Sequence, residues 1–364
     1  MKKNLRNFFY VTAALVALFS FIACGGGGSD SVTYGGSTGS AVADYTTAAV
    51  LAEYSMGMIE AGGPLVMPFV FPPPGIQQTS ISAQPLGPIA TTTVVIPVPE
   101  EAIYYGADYG EDGTGSARIL GTMTLYLSAV SAEADTWEID EGELDGSIVF
   151  DGFRPDDGPT LTGTVTVSYG AFYFTGEALF SMSLNGIPDD PGFVAWTEVD
   201  LTFSELTASE GGDSWSLGEG DWHMEIGEGT VDLDINSMTV EYEGSTYKLE
   251  DTNVFVEMGE SETGISLAGT TYELGAFYHH DLGKIWFYGE TLETDPPDDI
   301  VSGTLEFYDE PVSGDLLFDV EFEYDDSEGA TAYRIRVFDE SYTEYGYYVD
   351  GAFIPDPSAM SNFT

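Results

Sequence analysis

From about Glu101 onward, apolar and polar residues alternate with a period of two, and this limits the chain to extended structure. In Leu316 to Tyr324, Phe318, Val320 and Phe322 fall on one side of an extended backbone, and Asp319, Glu321 and Glu323 on the other. Val199-Asp200-Leu201-Thr202-Phe203 repeats the pattern. One buried and one wet face is the signature of an antiparallel sheet. The breaks agree, because Arg154-Pro155-Asp156-Asp157-Gly158, Ile187 to Gly192 and Thr294 to Asp299 are turn-forming clusters between apolar runs. About fourteen strands are expected on this basis.

A short motif, apolar-x-Gly-x-apolar-x-apolar, recurs six times. It occupies Ile119 to Leu125, Leu144 to Phe150, Leu161 to Val167, Phe174 to Phe180, Val301 to Phe307 and Val312 to Phe318. The spacing is irregular, whereas a solenoid needs a fixed period. A meander of unequal hairpins fits better, with the glycines marking bends or bulges.

The N-terminus has a different logic. Lys2, Lys3 and Arg6 precede an apolar run from Phe8 to Ile22, and Ala23-Cys24 follows. That run is shorter than the roughly 20 residues needed to span a bilayer, and the order of its parts is that of a signal peptide over residues 1–23. Phe21-Ile22-Ala23-Cys24 resembles the lipobox of bacterial lipoproteins, with Phe21 where leucine is usual. The resemblance implies acylation of Cys24, the only cysteine, which leaves no disulfide to compete for it. A secretory signal with an incidental cysteine is the competing reading. Residues 24–40, rich in Gly, Ser and Thr, read as a flexible tether. Gly25, rather than Asp, follows the cysteine, and by resemblance to Gram-negative sorting this implies the outer membrane.

Charge narrows the partners. Without residues 1–23 the chain keeps 6 of its 9 basic residues and all 62 acidic ones, a formal charge of 6 minus 62, or −56. Nucleic acid is excluded as a partner, because phosphates are bound through clustered Lys and Arg. Anionic headgroups repel such a domain, and the balance favours a soluble monomer. Most of the acids read as solvated surface; a patch for cations or a basic partner is the sharper alternative.

Between tether and strands, Val42, Tyr45, Ala49, Ala52, Met56 and Ile59 recur at helical spacing, which predicts an amphipathic helix over residues 41–63, ended by Gly62-Gly63-Pro64. With Asp44, Glu53 and Glu60 as its charges it lacks the basic face of a membrane-lying helix, so it is expected to dock on the main domain. Residues 64–100 are proline-rich, with nine prolines from Pro64 to Pro99, and read as extended with one edge strand near Thr91 to Ile96.

Taken together, the lipobox, Gly-rich spacer, apolar helix, Gly-Thr-apolar hairpins and the closing Val312-Ser313-Gly314-Asp315-Leu316 and Tyr333-Arg334-Ile335-Arg336-Val337 resemble a group of uncharacterised Gram-negative lipoproteins built from repeated antiparallel β-hairpins. The resemblance implies an architecture and a location but no catalytic residue. Members of that group carry cysteines in the repeats, and this chain has none there.

Motifs for chemistry are few. Gly35-Gly36-Ser37-Thr38-Gly39 matches G-x-S-x-G but lies in the tether, where no strand-to-helix elbow is expected. His223 and the pair His279-His280 read as surface histidines rather than metal ligands, since strand neighbours point to opposite faces. Asp232, Asp234, Asn236 and Glu243 match ligand places of a calcium loop, but Ser237 stands where Gly is needed. Val231, Leu233 and Ile235, then Met238, Val240 and Tyr242 after a one-residue slip, read instead as a bulged strand. Acid pairs at i, i+2 are about 7 Å apart on any wet strand, so spacing alone does not single out a glycosidase. Phosphate loops and zinc signatures do not occur.

The sequence thus predicts an all-β protein, an elongated or rolled antiparallel meander in residues 101–364 with one N-terminal helix packed on it. The expected function is non-enzymatic: a cell-envelope lipoprotein with a structural or binding role, tethered to the membrane through Cys24, without cofactor, metal or catalytic residues, and facing the periplasm or the cell surface. Its partner would be an unknown protein or carbohydrate. Two alternatives stand beside it, a carrier sheltering a lipid or amphiphile in a rolled sheet, which predicts an apolar cavity, and a carbohydrate-active or carbohydrate-binding surface protein, which predicts a row of exposed aromatics. An outer-membrane barrel fits poorly, because its lipid face tolerates acids badly.

Overall fold

The computed structural model describes residues 32–62, 65, 91–98, 103–108, 113–129, 136–154, 159–175, 179–181, 193–210, 213–227, 230–261, 264–295, 299–311, 314–325, 327–338, 341–349 and 352–363. The alternating segments pair into one sheet of 18 strands, every ladder antiparallel. β1 (Thr91–Pro97) and β2 (Ile103–Tyr105) both pair with β3 (Thr114–Ala129), which pairs with β4 (Thr136–Arg154). β4 pairs with β5 (Thr160–Thr175) and β6 (Leu179–Ser181), and β5 with β7 (Phe193–Phe203) and β8 (Leu206–Glu210). β9 (Asp213–Gly227) receives both β7 and β8.

A plain meander follows: β10 (Thr230–Tyr242), β11 (Ser245–Ser261), β12 (Gly264–His279), β13 (Gly283–Asp295), β14 (Asp299–Tyr308), β15 (Leu316–Asp325), β16 (Ala330–Val337), β17 (Tyr342–Val349) and β18 (Ala352–Pro355). Since β1 with β2, β5 with β6 and β7 with β8 each share one row, the 18 strands fill 18 minus 3, or 15, rows, close to the fourteen expected. β1 is the strand anticipated near Thr91 to Ile96.

Among the described residues one face of the sheet is apolar from β3 to β16. Phe318, Val320 and Phe322 are buried as their alternation requires, and so are Val199, Leu201 and Phe203. Phe287, Phe307, Phe318 and Val337 oppose one another rung by rung across β13 to β16, and the Phe307 and Phe318 rings stack at 4.2 Å. The slip in β10 is real: its register against β9 shifts on either side of Ser237, and Val231, Leu233, Ile235, Met238, Val240 and Tyr242 all face the core. The motif glycines mark close approaches. Gly121 and Gly146 oppose each other between β3 and β4, and a Cβ on Gly146 would lie 1.9 Å from the Leu120 carbonyl oxygen. Of the other motif copies, Phe174 to Phe180 and Val312 to Phe318 lie partly outside the described residues.

Helix α1 spans Ala48–Gly62, shorter than the 41–63 expected. Asp44 sets its start: the carboxylate accepts the Thr46 and Thr47 N–H groups at 2.8 and 3.1 Å, and the Thr47 hydroxyl accepts the Asp44 N–H at 2.9 Å. This reciprocal cap places Val42 and Tyr45 before the helical face, where they are exposed. The helix is also less one-sided than its stripe implies. Ala48, Leu51, Ala52, Ser55, Met56 and Met58 are buried, and no residue from Ala48 to Met58 is exposed.

The cause lies in the sheet. Glu53 lies beside the backbone of Phe353 in β18, while the next residue, Tyr54, stacks on Tyr247 in β11. β11 and β18 are seven rows apart in the ladder, about 34 Å in a flat sheet at ~4.8 Å per row. Adjacent helix residues can touch both only if the sheet curls around the helix. α1 is therefore enclosed by the second half of the meander, and a helix enclosed on all sides is apolar all round.

Residues 32–40, part of the stretch expected to be a flexible tether, are docked, and so is Ala41. Val32 is buried against Gly218, Gly35 N–H donates to Thr246 Oγ1 at 2.9 Å, and Ser37 N–H donates to the His280 carbonyl at 2.7 Å. Lys284 N–H donates to Gly39 O and Ala41 N–H to Lys284 O, both at 2.7 Å, which places Ser40 in a parallel bridge with Lys284. Glycines suit this strap, because its hold comes from backbone groups that must approach closely. A Cβ on Gly36 would come within 2.7 Å of the His280 backbone.

Candidate functional site

Two polar assemblies stand out, one where the strap crosses the sheet and one on the outer face. At the strap, the turn after β12 exposes carbonyls and brings aromatic rings together. Tyr34 donates its hydroxyl hydrogen to Ser37 O at 2.6 Å and meets the Tyr278 ring edge-on at 5.6 Å. Burial, with the Asp281 charge beside it, pushes the Tyr34 hydroxyl up to about 12. Tyr278 donates to Glu250, which also accepts from Lys248 Nζ at 2.6 Å. Burial would raise Glu250, but these two donors outweigh it and hold its carboxyl below the usual range. Lys284 Nζ lies 4.1 Å from the Trp286 ring centre and 4.8 Å from that of Tyr278, within cation–π range.

The histidines expected on the surface separate here. His279 is buried at 7 % exposure, because the chain reverses straight after it and α1 covers it. Its Nδ1 accepts the Asp281 and Leu282 N–H groups at 3.2 and 3.3 Å, and its ring meets Tyr54 and Tyr247 edge-on. Burial lowers its pKa. His280 Nδ1 accepts the Thr246 N–H at 3.1 Å, so each histidine ties down a turn.

On the outer face of β7 to β11, Asp200, His223, Asp234 and Asn253 form one cross-strand row, and Glu198, Glu225 and Asp232 the row beside it. Neighbours across strands are ~4.8 Å apart and neighbours along a strand about 7 Å. His223 Nδ1 lies 2.7 Å from Asp200 Oδ1, and Asn253 Nδ2 donates to Asp234 Oδ1 at 2.9 Å and also to Asp232. Desolvation would lower the His223 pKa, but the hydrogen bond and charge of Asp200, with Glu198 and Glu225, outweigh it and raise it. The acids that mimic a calcium loop thus lie on a bulged strand and are bridged by Asn253. Among the described residues no group of three or more His, Cys, Asp or Glu side chains is placed to hold a metal ion.

Four of the six basic residues after Cys24 lie on β11, β13 and β16, and Arg118 and Arg154 lie on β3 and β4. Arg336 closes over Asp319 with two hydrogen bonds, and Arg334 pairs with Glu321. Asp319, expected on the wet side, is only 2 % exposed as a result. Among the described residues the Lys and Arg ion pairs lie within β11 and between β15 and β16, away from the carboxylates on the outer face of β7 to β10.

Gly35 to Gly39 run extended along the turns, so the G-x-S-x-G match is not a nucleophile elbow. Cys24 lies outside the described residues. The strap was missed by composition, and the signals for it were Val32 and Tyr34, a buried apolar residue and an aromatic among Gly and Ser. No family model matches the chain, and no curated protein or solved structure is similar to it.

Proposed function

We propose that the protein is a non-enzymatic lipoprotein of the outer membrane, anchored through acylated Cys24, whose anchored domain binds its partner through the polar outer face of the sheet. The observation that carries this reading is the enclosure of α1. Leu51 and Ala52 are fully buried within the curled sheet, so the apolar face is consumed in stability. What remains for recognition is the carboxylate rows on β7 to β10 and the cation-bearing strands beside them, which suit a polar or basic partner. Intact mass of membrane-extracted protein should carry acyl chains at Cys24, and Cys24→Ala should release the domain or leave an uncleaved precursor. Wild-type protein with no acyl mass overturns the anchor.

One observation favours a carrier as second reading. The indole N–H groups of Trp215 and Trp222, both buried on the inner side of β9, have no hydrogen-bond partner among the described residues. The acceptor head of an enclosed amphiphile would satisfy them. Native mass spectrometry of protein purified without detergent separates the two: a stoichiometric co-purifying lipid supports the carrier.

A further inference from the structure

The strap fixes where the anchor leaves the domain. Its contacts run from Gly218 in β9 to Thr246, one residue into β11, then to His280 in the turn after β12 and Lys284 at the start of β13. All but the first sit at one rim of the sheet, the rim that also carries the turns Glu243-Gly244 and Asp281-Leu282. The opposite rim carries the reversals after Ser261 and at Ser327 to Gly329.

Chain length then decides between the two ends. Cys24 precedes Val32 by eight residues, which reach at most about 29 Å when fully extended. Gly218, against which Val32 rests, lies in register with Thr239 and so with Lys248. From Lys248 to the far end of β11 at Ser261 is 13 residues, about 44 Å of strand. An anchor at Cys24 therefore cannot bring the far rim to the bilayer. Lying side-on would press the carboxylate rows of β7 to β10, with Glu198, Asp200, Glu225, Asp232 and Asp234, against headgroups that are commonly anionic, whereas the near turns bring only Glu243 and Asp281 to them.

Resting on the proposed acylation of Cys24, we infer that the rim bearing Glu243-Gly244 and Asp281-Leu282 faces the lipid headgroups, and that the rim bearing Ser327 to Gly329 is held outward. The domain stands end-on at the membrane, and the rim farthest from it is the first a partner meets.

The test uses the acylated full chain in vesicles of phosphatidylethanolamine and phosphatidylglycerol with an energy-transfer acceptor on the headgroups. Acylation blocks Cys24, so a single introduced cysteine carries the donor dye: Asp281→Cys at the near rim, Glu328→Cys at the far rim, Asp234→Cys on the side, all at exposed positions. Transfer several-fold higher from position 281 than from 328, with 234 between, is the expected result. Equal transfer from 281 and 328, or the highest from 234, in vesicle-bound protein overturns the end-on orientation while leaving the anchor intact. Protein that carries no acyl mass and does not bind vesicles overturns the anchoring reading, and the orientation with it.

Discussion

Tyr54 of the enclosed helix stacks on Tyr247 of β11, ring centres 4.8 Å apart and planes 22° from parallel. Both rings also meet His279 edge-on, so helix, strand and turn join at one aromatic node. A double-mutant cycle of Tyr54→Ala and Tyr247→Ala should give a coupling of about 0.5–1.5 kcal/mol. Leu51→Ala, at a fully buried position of the same helix, should cost about 2–5 kcal/mol of unfolding free energy in urea. A helix merely resting on the surface would show neither effect.

His223 and His279 should give opposite pH dependences. The folded pKa of His223 is raised, so its contribution is whole below the unfolded value of about 6.5 and is lost as pH rises through the folded one. That of His279 is lowered by burial, so its contribution is whole above about 6.5 and is lost as pH falls through the folded value. Urea midpoints measured from pH 5 to 9 should therefore lose their alkaline slope in His223→Gln and their acid slope in His279→Gln. Profiles parallel to wild type in both variants would contradict the two environments.

Much of this sheet was legible because a half-buried strand repeats every two residues. The one-residue slip between Ile235 and Met238 appears in the sequence as a break in alternation and in the structure as a bulge. The curl was not legible. It depends on Glu53 and Tyr54 reaching β18 and β11, and nothing local encodes a contact between residues so far apart. Nor was the burial of Asp319, which depends on Arg336 folding back across the neighbouring strand. The strap was misread for a different reason: glycine-rich composition reports the freedom of the unfolded chain, whereas its docking is made by backbone N–H and C=O groups that every sequence possesses.

Arg336→Met should leave Asp319 as a buried carboxylate without its cation. The expected cost is about 2 kcal/mol, below the range for a fully buried pair because 41 % of the Arg336 side chain is exposed. Asp319→Leu with Arg336→Met should recover most of that loss in thermal unfolding. If the double variant is no more stable than the single, the pair matters through packing and not through charge.

Gly146→Ala should be among the most damaging single methyl additions, costing about 3 kcal/mol, because the new Cβ meets the Leu120 carbonyl and strand β3 must move. Gly244→Ala provides the contrast. Gly244 has φ of 78° in the β10–β11 turn with open space around it, so only the left-handed backbone is penalised, at about 1–2 kcal/mol. Equal losses in the two variants would mean that the β3–β4 approach is looser than described.

The enclosure of α1 also dictates when the protein can finish folding. Glu53 and Phe353 are 353 minus 53, or 300, positions apart, so the helix emerges almost first and one wall of its enclosure almost last. Contacts this distant in sequence form slowly, because closing so long a loop must precede any gain from the contact. Until β18 has emerged, Leu51, Ala52 and Met56 lack part of their cover, and the unfinished chain presents apolar surface. A sequence arranged in this order cannot complete its fold until nearly all of it is present, a property that suits the exported lipoprotein proposed above.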